Sequence, residues 1–89
     1  MLYSFELVKY VRTIYPKEAR KARLQGVVRF RALITKTGEV SELEVLSGDP
    51  AFVSAATAAV RQWRYKPCLL YDEPVEIRTT IDVPFTRNQ

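Results

Sequence analysis

Histidine is absent from the 89 residues. With it go the commonest general base, the commonest metal ligand and the side chain that titrates near neutral pH. An acid–base pair would have to be drawn from carboxylates such as Glu42, Glu44, Asp49 and Asp72, and a nucleophile from Cys68. Glu42 and Glu44 stand two apart in an alternating stretch, which puts both on the outward face of a strand, the ordinary place for solvated charge. Asp49 precedes Pro50 and reads as a helix N-cap. Cys68 has no imidazole to activate it and packs as a small apolar residue. A single cysteine also permits neither an internal disulfide nor a cysteine metal cluster. These residue types support no enzyme, no metal site and no cofactor.

The other chemistry on offer is electrostatic. The chain carries a net charge of +4, and residues 17–31 hold Lys17, Arg20, Lys21, Arg23, Arg29 and Arg31 against Glu18 alone. A basic segment in a small α/β chain raises the alternative of a nucleic-acid-binding domain. A KH-like domain needs a GxxG loop, and Gly26, Gly38 and Gly48 supply none. An RNP-like aromatic platform is missing too, since the first strand offers only Phe30, and parity turns it inward. No nucleic-acid partner is expected, and the basic segment reads as the wet side of a helix and a strand.

The elements that position these residues follow from punctuation and period. Hydrophobic residues are 47% and charged residues 27%, ordinary values for one small folded domain. No apolar run approaches the roughly 18–20 residues of a membrane span, and no signal peptide is legible. Pro16 is expected at the first position of a helix over 17–25, with Gly26 as its left-handed stop. Residues 27–35 alternate, with Val28, Phe30, Ala32 and Ile34 facing inward. A loop at 36–39 with Gly38 at positive φ leads to a second strand over 40–47, placing Leu43 and Val45 inward.

Parity then pairs Phe30 with Val45, Ala32 with Leu43, and Arg31 with Glu44 outside. A helix begins at Asp49-Pro50 and carries Phe52, Ala55, Ala56, Ala59, Val60 and Trp63 as one apolar stripe. Residues 68–73 read as a connection. A last strand runs over 75–85, with Pro84 marking it as an edge. The expected fold class is α+β in the order α-β-β-α-β. Its three-stranded sheet has the order 2-1-3 with both helices on one face.

These landmarks carry a family resemblance. Tyr15-Pro16-x-x-Ala19, Gln25-Gly26-Val27-Val28, Thr37-Gly38-Glu39-Val40, Ser47-Gly48-x-Pro50, Ala59-Val60-x-x-Trp63-x-Tyr65-x-Pro67 and the strand opened by Pro74-Val75 resemble the C-terminal domain of the TonB family. The likeness covers about residues 8–86 in order and spacing. It implies a domain over 15–86, which leaves an N-terminal extension over 1–14, where the apolar-rich stretch from Phe5 to Val11 reads by itself as a candidate short strand, and a tail at 87–89. Tyr15, Pro16, Gly26, Gly38, Trp63, Tyr65 and Pro67 read as structural.

The resemblance further implies a periplasmic interaction module at the end of an inner-membrane energy transducer. Such a module grips the extended TonB-box peptide of an outer-membrane transporter by strand addition. Peptide contacts fall, on this resemblance, to the last strand: Val75, Glu76, Ile77, Arg78, Thr79, Thr80, Ile81, Asp82 and Val83. Arg12, Thr13 and Ile14 correspond to a segment that touches the transporter plug. ExbB–ExbD enters as a partner through an N-terminal anchor that this stretch does not contain. A homodimer through the open edge strand is a further expectation.

Overall fold

A computed structural model of the chain describes residues 6–86. Alternation in β2 (Gly26–Ile34) sets the sheet: Val28, Phe30, Ala32 and Ile34 are all buried on one face. β3 (Val40–Ser47) and β7 (Ile77–Phe85) flank β2, both antiparallel to it, giving the order β3-β2-β7. This is the expected arrangement of second, first and last strand. Helices α1 (Lys17–Lys21) and α2 (Pro50–Val60) lie on the apolar face. There Ala19, Phe52, Ala56 and Val60 join the buried β2 side chains and Ile81, Val83 and Phe85 in one core.

The β2–β3 register shows both what parity can and cannot settle. Phe30 pairs with Val45 and Arg31 with Glu44, as expected. The Ala32–Leu43 pair does not form, because the register slips and resumes at Leu33 with Ser41. The loop closes with the Thr35 N–H donating to the Glu39 carbonyl and the Gly38 N–H to the Thr35 carbonyl, both at 2.9 Å. That closure sets Ile34 against Val40, whereas the far end sets Arg29 against Ser47. β3 absorbs the difference as bulges, one of them with Glu42 at φ +46°. Val45, expected inside, is 42% exposed, because β3 bends at its bulges and lies at the rim of the helical cover.

Three other expectations need correction. α1 stops at Lys21, and Arg23, not Gly26, takes the left-handed conformation at φ +59°. The Leu24 N–H donates to Ala19 C=O and the Arg23 N–H to Arg20 C=O, the two bonds of a Schellman stop. Gly26 is thereby freed to open β2. Pro16 is the N-cap, with extended ψ 134°, and Lys17 begins the helix.

The connection after Pro67 contains a hairpin, β5 (Cys68–Leu70) with β6 (Glu73–Val75). Its two-residue loop has Tyr71 at φ +51° and Asp72 at φ +65°, as a type I′ turn requires. Val75 therefore belongs to this hairpin, and β7 begins only at Ile77.

The start of α2 matches the sequence reading. Asp49 caps it by accepting from the Ala51 N–H at 2.8 Å. Beyond α2 the chain enters β4 (Arg64–Tyr65), which pairs with β1 (Leu7–Lys9). The short strand expected between Phe5 and Val11 is β1; Phe5 itself lies outside the described residues. The Lys66 N–H donates to the Glu6 carbonyl at 2.8 Å, and the Tyr65 N–H to the Gly38 carbonyl at 2.8 Å. Residues 6–14 are thus stitched to the body: the Trp63 indole N–H donates to Val11 C=O at 2.8 Å, and Thr13 is buried.

Candidate functional site

β7 presents the feature that can act on another molecule. It has β2 on one side and no partner strand on the other among the described residues. An edge strand takes proline where the missing N–H faces the open side. Pro84 therefore sets the parity of β7, and Arg78, Thr80 and Asp82 share it, with their backbone N–H and C=O groups directed away from β2. Ile77, Thr79, Ile81 and Val83 alternate with them and turn their side chains to the core face. β3 is the other sheet edge, but its bulges break the regular spacing of groups that strand addition needs. Of the strand residues expected to bind peptide, 77–83 are brought together on this edge. Val75 lies in the hairpin and Glu76 lies between the two strands.

The solvent face of the sheet carries a cross-strand charge pattern. Arg29 of β2 grips Asp82 of β7 with two nitrogens, at 2.8 and 3.0 Å. Arg31 of β2 approaches Glu44 of β3 at 3.7 Å, the pairing expected from parity. Arg78 of β7 reaches past Leu33 to Glu42 of β3 at 3.3 Å. Arg29 and Arg31, two of the six bases in the basic segment, thus have acidic neighbours, which weakens the ground for nucleic-acid binding.

The Arg29 hydrogen bond, assisted by its charge, holds the Asp82 carboxyl below its ordinary value of 3.8 against an opposing desolvation effect. A carboxylate depressed in this way stabilises the fold above its unfolded pKa, and that contribution is lost as pH falls through the folded value. Asp82→Asn is accordingly expected to reduce the loss of stability on acidification below about pH 3.8, measured by urea denaturation at a series of pH values. The effect is small because the pair is exposed. Identical acid dependence in variant and wild type would show that the pair contributes nothing.

The second region singled out from sequence is the segment before α1. Arg12, Thr13 and Ile14, with Tyr15 and Arg20, line a shallow depression of about 350 Å³. Ile14 is 79% exposed, while Thr13 is buried and offers no side chain to a partner. The Tyr15 hydroxyl donates to Leu24 C=O. Its ring meets Phe52 and Phe85 edge-on at 5.6 and 5.8 Å, and Arg20 stacks over its outer side at 4.8 Å. Tyr15 is therefore a structural post beneath this depression. Trp63 and Tyr65 are both buried at the packed corner expected of them. Among the described residues, no group of three or more His, Cys, Asp or Glu side chains could hold a metal ion, and no helix is long and apolar enough to cross a membrane.

Sequence reasoning missed the β5–β6 hairpin and the clustering of Arg31 with Arg78 beside Thr79 and Thr80. The hairpin had a signal: two short runs, 68–70 and 73–75, separated by two residues. Tyr71-Asp72 lacks the glycine that usually betrays such a turn. The arginine cluster had none, because it depends on which strands become neighbours.

The family model for the Gram-negative bacterial TonB protein C-terminal matches residues 11–86. The chain belongs to this family. It is 33% identical over 61 residues to Protein TonB of Klebsiella pneumoniae, covering 66% of this chain and 25% of that protein. It is 32% identical over 73 residues to Protein TonB of Vibrio cholerae, covering 80% and 30% respectively. The chain thus spans between a quarter and a third of the length of these two relatives. The solution NMR structure of the Pseudomonas aeruginosa TonB CTD has the same fold, with a TM-score of 0.76 at 23% identity, over 92% of this chain and 85% of that one. The match begins at residue 11, four residues before Tyr15, and so takes in Val11 to Ile14.

Proposed function

We propose that this domain is a periplasmic interaction module that captures an extended TonB-box peptide of an outer-membrane transporter along β7, coupling inner-membrane energy to transport. The observation that carries the reading is the edge of β7, unpaired among the described residues, nine residues long and without a bulge in its pairing to β2. Five or six added backbone hydrogen bonds at about 0.5–1.5 kcal/mol each give roughly 3–9 kcal/mol. Ordering the peptide opposes this by about 1–2 kcal/mol per residue, so side chains must supply the balance and binding near the micromolar range is expected. Such a link can be made and broken repeatedly. No catalytic step is part of this role. Contact with the plug falls to Arg12 and Ile14, and contact with ExbB–ExbD to an N-terminal anchor of the transducer.

Proline scanning tests the mechanism. Thr80 directs its N–H to the open side, so Thr80→Pro removes a group needed by an incoming strand and leaves the β2 ladder intact. Thr79 has the opposite parity, and Thr79→Pro strikes the fold itself. Titration of a labelled TonB-box-like peptide is expected to show Thr80→Pro binding about tenfold or more weakly than Thr80→Ala, with unchanged circular dichroism. Equal affinities for the two would sink strand addition. Salt-sensitive binding to duplex DNA or RNA without peptide binding would promote the nucleic-acid alternative. A second copy of the chain is the competing occupant of the same edge. Sedimentation is expected to show concentration-dependent dimers that the peptide dissolves.

A further inference from the structure

Three arginines share the solvent face of the sheet, and they are not equally satisfied. Arg29 fills its fork with both oxygens of Asp82. Arg31 and Arg78 each approach a glutamate through one nitrogen, at 3.7 and 3.3 Å, with more than half of each side chain exposed. The first distance is too long for a hydrogen bond, and a guanidinium has five N–H donors. Exposed pairs of this kind hold their partners weakly.

Arg31 and Arg78 also converge. Arg31 stands opposite Thr80 in the β2–β7 register, and Arg78 is the next residue along the same face of β7. Together with Thr79 and Thr80 they wall a depression of about 200 Å³ at the edge strand. Like charges on neighbouring strands repel, and their glutamate partners both lie on β3, on the far side of the sheet from the open edge. Both guanidinium groups lean toward β3 in the unbound domain, but they flank Thr80 and keep spare donors that a carboxylate laid beside Thr80 by an added strand can draw back.

We propose that Arg31 and Arg78 form a subsite that selects an added strand bearing a carboxylate alongside Thr80. This rests on the strand-addition reading and adds the chemistry of the partner: an extended peptide with one acid on its outer face. Planar, bidentate recognition of a carboxylate suits arginine, and two forks approaching from adjacent strands fix its position along the edge. The backbone supplies capture; the arginine pair supplies register and choice of partner.

The experiment uses a fluorescent peptide, Val-Thr-Val-Glu-Val-Thr-Val, and its glutamine twin, titrated against wild type, Arg78→Gln, Glu42→Gln and Thr80→Pro at low salt. Wild type is expected to bind the glutamate peptide about three- to tenfold more tightly than the glutamine peptide, with the difference shrinking as salt rises. Arg78→Gln is expected to remove most of that discrimination while still binding both. Glu42→Gln, which releases Arg78 from its internal partner, is expected to enlarge it. Equal binding of the twins by wild type, with both lost in Thr80→Pro, would overturn the subsite and leave strand addition standing. Failure of wild type to bind either twin would overturn both. The comparison of twins on the wild-type protein needs no variant to fold.

Discussion

Trp63→Ala is expected to cost about 3–5 kcal/mol of folding free energy, a large share of the roughly 5–15 kcal/mol that a domain of this kind possesses. Two losses combine. The indole is 6% exposed in the core cluster, so truncation leaves a cavity that the surrounding sheet and helix cannot close. Its N–H also ties the Val11 carbonyl at 2.8 Å, and Tyr10 leans on the ring at 5.3 Å. The variant thus unfastens the pre-helix segment as well as hollowing the core. Trp63→Phe keeps most of the ring and drops the hydrogen bond, and should fall between wild type and alanine. Urea denaturation followed by circular dichroism gives both values; a loss under 1 kcal/mol for alanine would place Trp63 outside the core. The expected structural consequence is displacement of Arg12 and Ile14, which line the depression before α1.

Gly38→Ala is expected to be nearly as damaging, at about 2–4 kcal/mol, for a reason that composition cannot show. Gly38 has φ +86°, and a Cβ built there would sit 1.8 Å from the Tyr65 carbonyl oxygen. The obstacle is backbone, so no side-chain rotation relieves it. The loop must move off β4 and break the Tyr65 N–H bond to the Gly38 carbonyl. Since β4 also holds β1, the disturbance reaches the N-terminal strand. Hydrogen exchange should report it as lost protection at the Tyr65 and Lys66 amides. Gly26→Ala is the control: its Cβ would meet Phe52 at an ordinary 3.6 Å, so a change under about 1 kcal/mol is expected. If the two glycine variants proved equally stable, the packing of the loop against β4 would be wrong.

Gly26 and Gly38 show what one dimension of information can and cannot carry. Both sit where a turn glycine is expected. The structure gives positive φ to Gly38 alone, because Arg23 stops α1 three residues earlier through two backbone bonds. A Schellman stop is a backbone arrangement that many residues can fill at a cost of order 1 kcal/mol, so its position leaves little trace in residue type. Local signals with a stiff physical basis were legible. Asp49-Pro50 started α2, Phe52 to Val60 buried its stripe, alternation set both faces of β2, and Pro84 marked β7 as an edge. Each depends on groups within a few residues of one another.

Relations between distant segments needed the tertiary structure. The β3 register shifts because loop closure at Thr35 and Glu39 competes with the pairing at the far end, and the bulges reconcile them. β1 acquires a place only because β4 offers it an edge. The candidate site divides in the same way. That β7 is an open edge follows from its own residues. That Arg31 and Arg78 stand together beside it follows from β2 and β7 becoming neighbours with Arg31 opposite Thr80. By itself the sequence determined the family, the three strands of the main sheet, the start of α2 and the faces that β2 and α2 bury, since periodicity and capping are local. Only the tertiary structure decided which charges meet across the sheet and where the N-terminal segment docks. Those depend on long-range pairing, and the free energy that selects one register over the next is spread over the whole core.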